Sequence, residues 1–282
     1  MRLADIIVQS IEKLKTSSID NPQLDARLLI CHALKCDRAA LLSQSHRVLN
    51  DDEVASIDIL ITQRMKHISV ARITGSREFW GLNFGLNEAT LEPRADSETI
   101  VEAVLSFSQK NARILDLGTG TGCLLLSLLH EIPEATGIGI DISSRAVEQA
   151  AQNAVLLGLS HRAVFRSGDW FEEMTETFDI IISNPPYIPS SDILALMPEV
   201  RHYDPMLALD GGKDGFTPYR FLIPQLKKFL NPNGVAAFEV GIDQAQHVAD
   251  LFRQSGFTNI ETRKDLGGVE RCVTATMSKI LA

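Results

Sequence analysis

The sequence predicts an α/β fold in which a mainly parallel sheet, covered by helices on both faces, follows a small helical bundle and a β-hairpin. Strand and helix patterns alternate after about residue 93, as they do in chains that form parallel sheets. Several of these strands are continuous apolar runs, which indicates burial on both faces. The first 67 residues instead space their apolar side chains only at helical intervals.

The N-terminal part predicts a helical bundle. Helical spacing covers residues 3–16, 22–34, 37–44 and 51–67. The last two segments each begin with an aspartate, which can accept hydrogen bonds from the unpaired amides of a first turn. Residues 72–87 are then rich in glycine and aromatic residues with short alternating stretches, a pattern typical of a β-hairpin. We therefore expect a helical domain over residues 1–70, a hairpin connector over 71–88 and a sheet domain over 89–282.

Six strands are predicted in the sheet domain, at residues 113–116, 135–141, 163–167, 178–183, 235–240 and 271–277. Helical patterns at 123–130 and 145–157 separate the first three of them. Ligands of such sheets bind beyond the carboxyl ends of the strands. Polar motifs at those ends are therefore the candidates for function.

Charge and composition exclude several classes of protein. The 282 residues carry a net charge of −9, and residues 86–282 alone carry −10, which disfavours direct binding of nucleic acid through many phosphates. The N-terminal segment is too charged for a signal peptide, and no apolar run approaches the roughly 18–20 residues of a membrane span. The four cysteines show no metal-ligand spacing. We expect a cytoplasmic protein with reduced thiols and no membrane partner.

A glycine-rich loop follows the first predicted strand of the sheet domain and opens a helix, which is the context that a nucleotide-type loop requires. Its third glycine comes one residue too early for a dinucleotide fingerprint, and the Lys-Ser/Thr ending of a P-loop is missing. An acidic residue at the strand end suits a cofactor that carries a sulfonium and an ammonium group. The motif comprises Asp116, Leu117, Gly118, Thr119, Gly120, Thr121 and Gly122.

Acidic residues also follow the next two strands. Asp141 can accept hydrogen bonds from both hydroxyls of a ribose, or it can cap the helix that begins near Ser143. Asp169 can accept from the exocyclic amine of adenine while Trp170 contacts the ring. The alternative, with Trp170 as a core aromatic and Asp169 as a turn residue, is equally compatible with the sequence.

The tetrapeptide Asn184-Pro185-Pro186-Tyr187 ends the fourth strand. The prolines push the residues before them out of the helical conformation. The side-chain oxygen of Asn184 and the carbonyl of Pro185 can then accept the two N–H bonds of a planar –NH₂ group, on which Tyr187 would stack. An ordinary turn is the alternative, but the strand-end position and the upstream glycine loop favour a functional site.

Nearly the whole chain resembles the protein-glutamine N5-methyltransferases, most closely those of the PrmC/HemK type that act on peptide chain release factors. The blocks that carry the resemblance are Asp25-Ala-Arg-Leu-Leu, Phe79-Trp-Gly81, Glu92-Pro-Arg-Ala-Asp-Ser-Glu98, DLGTGTG, Asp169-Trp170, SNPPYI, Asp204-Pro205, Glu239-Val-Gly241 and Lys264-Asp-Leu-Gly267. The resemblance implies a Rossmann-like class I methyltransferase sheet, S-adenosyl-L-methionine as cofactor and no metal. It also implies methylation of the glutamine in the Gly-Gly-Gln loop of class 1 release factors, which the helical domain would dock.

Site roles follow from the resemblance and the motifs together. The NPPY residues are the expected catalytic residues, and Asn184, Pro185 and Tyr187 with Arg94 would bind the substrate. The glycine loop, Asp141, Asp169, Trp170 and Asn184 would bind the cofactor. Arg94 could pair with a site carboxylate or support the NPPY loop, whereas Asp96 or Ser97 is expected to cap the following helix. The family often has an aliphatic residue at 92, proline at 95 and threonine at 97, where this chain has glutamate, alanine and serine.

Three other functions remain as alternatives. A ribosomal-protein glutamine methyltransferase differs only in detailed similarity. A DNA adenine-amino methyltransferase presents the same planar –NH₂ group after base flipping, but the acidic sheet domain disfavours it. A cofactor-binding adaptor without activity would require a broken site, and both motifs are intact.

Overall fold

The computed structural model describes residues 1–107 and 110–277, which form two compact units. The helical unit comprises Met1–Ser76 together with Met197–Tyr203. The sheet unit comprises the described residues of Arg77–Leu196 and Asp204–Ala282. Among the described residues, the helical unit has one cluster of buried apolar side chains and the sheet unit has two.

Helices and strands are numbered along the chain. The helices are α1 Leu3–Thr16, α2 Pro22–Leu34, α3 Arg38–Ser43, α4 Asp51–Met65, α5 Val70–Thr74, α6 Glu98–Leu105, α7 Cys123–Glu131, α8 Ser144–Leu156, α9 Pro198–Tyr203, α10 Thr217–Leu222 and α11 Ala245–Gln254. The strands are β1 Ser76–Phe79, β2 Leu82–Gly85, β3 Arg113–Leu117, β4 Thr136–Asp141, β5 Ala163–Ser167, β6 Phe178–Ser183, β7 Leu230–Glu239, β8 Thr258–Lys264 and β9 Glu270–Thr276.

Helices α1, α2 and α4 enclose the core of the helical unit, which confirms the predicted helical N-terminal region. Ile57 and Ile61 lie one turn apart on α4 and are both 1% exposed. They pack with Leu14 and Leu29 in one cluster of buried side chains. Burying each such side chain contributes about 1.5–3 kcal/mol, so the helical spacing of the sequence accounts for this core.

The helix starts follow the capping rules, with one correction. Asp37 accepts from the amide of Ala40 at 2.6 Å, as predicted. Helix α4 is capped by Asn50 instead of Asp51: Asn50 and Glu53 each accept from the other's backbone amide in a capping box. The prediction that Asp51 caps this helix was wrong because asparagine one residue earlier provides the better-placed acceptor.

A buried arginine links three helices of the helical unit. Arg64 on α4 contacts Asp25 on α2 at 2.7 Å and Glu199 on α9 at 3.0 Å. Tyr203 also donates its hydroxyl to the carbonyl of Lys66 at 2.9 Å. Helix α9 thus packs as part of the helical unit although the predicted helical domain ends at residue 70.

The sheet has the strand order β5-β4-β3-β6-β7-β9-β8, with β9 antiparallel to both of its neighbours and the other pairings parallel. This mainly parallel, helix-flanked sheet confirms the predicted Rossmann-like class I fold. All six predicted strands are present. Strand β8 was missed because its residues are mostly exposed and their polar sequence lacks an apolar alternation.

The sheet separates two cores. Leu115 and Leu117 on β3 belong to one cluster and Ile114 to the other, as expected because successive side chains of a strand point to opposite faces. The register pairs Leu117 with Ile140 on β4 and with Ser183 on β6. The carboxyl ends of these three strands therefore meet at one edge, where the glycine loop, Asp141 and Asn184 begin.

The predicted hairpin is present as strands β1 and β2. Its two turn residues, Trp80 and Gly81, have φ angles of 53° and 69°. Positive φ at both central residues is the requirement of a type I′ turn, which suits the twist of paired strands. Tryptophan occupies the first of these positions, where its indole Nε1 donates to Glu131 at 2.8 Å.

The cysteines and the helices bear on two predictions from the sequence, those of reduced thiols and of no membrane span. Cys31, Cys36, Cys123 and Cys272 are all unpaired. Within residues 1–107 and 110–277, no helix has the length and hydropathy needed to span a bilayer.

Candidate active site

The glycine loop turns sharply between β3 and α7. Gly118, Gly120 and Gly122 have φ angles of 74°, 53° and 78°. Residues that carry a Cβ rarely adopt this backbone conformation. The amides of Gly118 and Thr119 both donate to the carbonyl of Ile140 at 2.9 Å. The loop is therefore tied to the end of β4.

Asp116 lies buried beneath this loop. Its Oδ2 accepts from the Thr119 hydroxyl at 2.6 Å, whereas Oδ1 has no hydrogen-bond partner among the described residues. Burial raises the pKa of Asp116 to about 7, and the nearby Asp141 adds to the shift while Thr119 opposes it. A desolvated carboxylate with an open oxygen strongly favours a positive charge in its vicinity.

Asp141 at the end of β4 joins the glycine loop to the next helix. One carboxylate oxygen accepts from the Gly120 amide and the other from the Ser143 amide, both at 2.9 Å. Burial raises its pKa, and these two bonds lower it. The contact with Ser143 supports the helix start, which Ser143 itself caps through Ala146. Each carboxylate oxygen keeps further acceptor capacity.

A cavity of about 400 Å³ opens at these strand ends, within the size range of small-molecule and cofactor sites. Ten of the predicted site residues line it. They are Arg94, Gly118, Thr119, Gly120, Thr121, Asp141, Asp169, Trp170, Asn184 and Pro186. Asp116, Gly122, Pro185 and Tyr187 lie outside its lining.

Trp170 combines the two roles considered for it. It lines the cavity and also packs against the core cluster of the sheet unit. Its ring passes within 3.5 Å of the position that a Cβ on Gly118 would occupy. A Cβ at this distance would only touch the indole, so the need for glycine at 118 comes from its φ of 74°.

The NPPY segment is held by neighbouring backbone. The Gln244 side chain donates to the carbonyl of Tyr187 at 3.0 Å, and Ile188 exchanges backbone hydrogen bonds with the chain near Gly211. A Cβ on Gly211 would lie 2.7 Å from the Tyr187 Cα, so only glycine permits this approach. The segment therefore has a rigid path after β6.

Asn184 and Tyr187 point to different neighbours. Asn184 lines the cavity, and its Nδ2 donates to Ser97 Oγ at 3.2 Å. Tyr187 packs against the core, and its hydroxyl donates to Glu239 Oε1 at 3.4 Å. Burial and the neighbouring Glu239 raise the pKa of the Tyr187 hydroxyl. The stacking role of Tyr187 stays a prediction.

Ser97 does not cap α6, contrary to expectation. No cap hydrogen bond from its side chain is present, and the residue is 2% exposed and faces Asn184. Asp96 instead forms an ion pair with Arg271 at 3.0 Å. Residues Ala95–Ser97 already form a 3₁₀ turn, so Ser97 has helical φ and ψ angles of −68° and −17° instead of the extended backbone of an N-cap.

Arg94 pairs with a carboxylate that the sequence analysis did not assign. Its guanidinium contacts Asp204 at 2.6 Å. Arg94 lines the cavity, as does Pro205 directly after Asp204. The ion pair therefore fixes one wall of the cavity.

Glu239 is the main site residue that sequence reasoning missed. It ends β7, is 2% exposed and contacts Tyr187. Burial raises its pKa to about 7, against the lowering effects of Ser97 and Arg271. The rule that singled out Asp141, an acid at the carboxyl end of a buried strand, applies equally to this residue.

Comparisons with known proteins agree with the resemblance. A model described as a methyltransferase domain matches residues 108–265, and one described as the PrmC N-terminal domain matches residues 5–75. A release factor glutamine methyltransferase of Rhodospirillum rubrum is 47% identical over 93% of this chain and 81% of the relative. One of Bradyrhizobium diazoefficiens is 44% identical over 93% of this chain and 91% of the relative.

A solved structure supports the fold. A methyltransferase from Pyrococcus furiosus is similar over 77% of this chain and 98% of its own, with a TM-score of 0.54. Its sequence is only 14% identical, so the similarity concerns the architecture alone.

Proposed function

Because this chain belongs to the release factor glutamine methyltransferases, we propose that it methylates the side-chain amide nitrogen (N5) of a glutamine in a class 1 peptide chain release factor. The acceptor is the glutamine of the Gly-Gly-Gln loop, and the donor is S-adenosylmethionine. The observation that carries this proposal is Asn184, an amide at the wall of a cavity that also contains the glycine loop. The protein acts in the cytoplasm.

The residues that line the cavity, and Asp116 buried beneath its glycine loop, fit a sulfonium cofactor. Asp116 keeps a buried oxygen without a partner among the described residues, and its ionised form gains stability from a nearby positive charge. Asp141 has acceptor capacity for ribose hydroxyls beyond its two backbone bonds. Asp169 and Trp170 border the same cavity and suit an adenine ring. When bound, S-adenosylmethionine supplies a methyl group already activated by the sulfonium.

An amide nitrogen is a poor nucleophile because its lone pair is delocalised into the carbonyl. The task of the protein is therefore to orient the amide and stabilise charge on its nitrogen. The Asn184 Oδ1 and the Pro185 carbonyl oxygen accept its two N–H bonds, which favours pyramidal nitrogen and aims the lone pair at the donor. Pro186 and Tyr187 confine the amide plane, and Arg94 contributes to the substrate side of the cavity.

The helical domain docks the release factor in this proposal. Residues 1–85 carry a net charge of +1, whereas residues 86–282 carry −10. A protein partner does not need the basic surface that a nucleic-acid substrate would require. The match of residues 5–75 to a separate family model, the PrmC N-terminal domain, supports a dedicated role for this segment.

Asn184→Ala tests the proposal. A release factor is incubated with S-adenosylmethionine and enzyme, and methylation of its glutamine is followed by mass spectrometry in single turnovers. We expect the wild type to methylate that glutamine and Asn184→Ala to lose about 10²–10³ in rate, the typical effect of removing one preorganised contact. Cofactor affinity, measured by calorimetry, should change little. Asn83→Ala, at an exposed asparagine of β2, serves as the control.

Two results would contradict the proposal. Absence of methylation by the wild type would remove the release factor as substrate. Near-normal transfer by Asn184→Ala would mean that the NPPY segment is a structural turn.

A further inference from the structure

Asn184 lies at one end of a line of three polar side chains. Its Nδ2 donates to the Ser97 hydroxyl oxygen at 3.2 Å. The Ser97 hydroxyl also lies near the Glu239 carboxylate and lowers its pKa, against the larger effect of burial. Ser97 and Glu239 are each 2% exposed. Asn184 and Ser97 line the cavity, whereas Glu239 lies outside its lining.

The carboxylate determines the direction of these hydrogen bonds. An ionised carboxylate can only accept, whereas a serine hydroxyl carries one hydrogen and can also accept. Glu239 Oε1 accepts from Tyr187. The other oxygen, Oε2, is buried and has no hydrogen-bond partner among the described residues. The Ser97 hydrogen is therefore drawn toward the carboxylate. The Ser97 oxygen is left to accept, and Asn184 Nδ2 is its donor.

This direction matters because an asparagine amide has two orientations of nearly equal shape. Rotating the amide by 180° exchanges oxygen and nitrogen. In one orientation Oδ1 is available to accept from the –NH₂ group of a substrate. In the other, the Nδ2 hydrogens of Asn184 would face the N–H hydrogens of that substrate, and no hydrogen bond could form. Shape alone does not select between them, but a neighbouring hydroxyl whose hydrogen is directed toward a carboxylate does, because only its oxygen then faces Asn184.

We propose that Ser97 and Glu239 are positioning residues for methyl transfer, which orient the Asn184 amide so that its oxygen receives the substrate amide. The inference rests on the proposed function, since it concerns the group that Asn184 binds. The Glu239 carboxylate acts through Ser97 and does not touch the substrate.

The same line makes turnover depend on pH. Burial raises the pKa of Glu239 to about 7. Protonated Glu239 can donate to Ser97, and Ser97 can then donate to Asn184 Oδ1, so the productive orientation is no longer enforced. The rate at saturating cofactor and substrate should therefore fall as pH decreases through about 7. The titratable and charged groups that act on Glu239, or on which it acts, are Asp96, Cys123, Tyr187, Tyr219, Arg271 and Cys272.

Three variants of this line and one matched control test the proposal. Ser97→Ala removes the relay, and Ser97→Thr keeps a hydroxyl. Glu239→Gln replaces the acceptor-only group by one that can also donate. The control is Ser127→Ala, at a buried serine of α7 whose hydroxyl has no hydrogen-bond partner among the described residues.

Single-turnover rates and cofactor affinities are compared between pH 5.5 and 8.5. At pH 8, Ser97→Ala should transfer methyl roughly tenfold more slowly, in line with the loss of one net hydrogen bond, while Ser97→Thr should retain most of the rate. Ser97→Ala and Glu239→Gln should both lose the decrease near pH 7. Cofactor affinity should stay within about twofold of the wild type, because none of these variants removes a proposed contact with the cofactor. A normal rate for Ser97→Ala, or equal losses for alanine and threonine, overturns the proposal.

A spectroscopic measurement separates this inference from the proposed function. In protein labelled with ¹⁵N-asparagine, the side-chain signal of Asn184 is identified by its absence in Asn184→Ala. Its hydrogen-bonded Nδ2 proton should shift upfield in Ser97→Ala and remain near its wild-type position in Ser97→Thr and Ser127→Ala. An unchanged signal in Ser97→Ala overturns the relay whatever the substrate is. Failure of the wild type to methylate a release factor, with the shift observed, overturns only the proposed function.

Discussion

Glu239→Gln should make the protein more stable at alkaline pH, because Glu239 is a buried acid whose ionised form is disfavoured. Burial raises its pKa from 4.5 to about 7. Below pH 4.5 the folded and unfolded chains both hold the proton. Between 4.5 and 7 only the folded chain holds it, so stability decreases as pH rises through this window. Above about 7 both are ionised and the folded state carries the full penalty.

The size of the effect follows from the pKa difference. A shift of one unit corresponds to about 1.36 kcal/mol, so the difference between 4.5 and about 7 amounts to about 3 kcal/mol. The glutamine variant has nearly the same shape and no charge. Its free energy of unfolding should equal that of the wild type at pH 4 and exceed it by about 3 kcal/mol at pH 8.

Urea unfolding at a series of pH values, followed by circular dichroism, measures this difference. Comparing variant with wild type at each pH cancels the contribution of other acids, including Asp116. Glu134→Gln, at an exposed glutamate, should show no such rise. A stability difference that is flat with pH, or that favours the wild type at pH 8, would refute the assignment of a disfavoured buried charge at Glu239.

Two further predictions concern Asp141 and the buried ion pairs of Arg64. Asp141→Ala should weaken S-adenosylmethionine binding by at least tenfold, since each charge-assisted hydrogen bond contributes about 1.5–3 kcal/mol; unchanged affinity by calorimetry in a folded variant would remove the ribose role. Arg64→Ala should lower the free energy of unfolding by about 3–5 kcal/mol, because Asp25 and Glu199 lose their buried partner. Lys13→Ala, at an exposed ion pair with Asp58, should cost at most about 1 kcal/mol, and equal losses for Arg64→Ala and Lys13→Ala would contradict the buried network.

The fold could be predicted largely because the sheet unit repeats one simple pattern. Apolar strands such as residues 178–183 are buried on both faces, so composition alone reveals them. Strand β8 carries little apolar signal and owes its pairing to β9. Helix α9 belongs to the helical unit through contacts with Arg64 and Lys66, which are distant in sequence. Such contacts leave no local pattern.

The candidate site was predictable where a motif is continuous in sequence. The glycine loop and Asn184 follow adjacent strands, so the parallel arrangement already brings them together. The partner of Asn184 and the acid beside Tyr187 were not predictable in this way. Ser97 comes from the turn before α6 and Glu239 from the end of β7, and their meeting depends on sheet register. A local capping rule therefore gave Ser97 the wrong role.

Asp116 and Glu239 show why this sheet keeps acids in unfavourable positions. Both are almost fully buried, both have a pKa raised to about 7, and each has one oxygen without a partner among the described residues. Their desolvation is complete before any ligand arrives, so a cation near Asp116 or a donor near Glu239 meets an acceptor that needs no further reorganisation. In the proposed function, cofactor binding favours ionised Asp116 and thereby offsets part of its burial penalty. In that proposal, the stability lost in the free protein is the source of affinity for the cofactor and of orientation of the substrate.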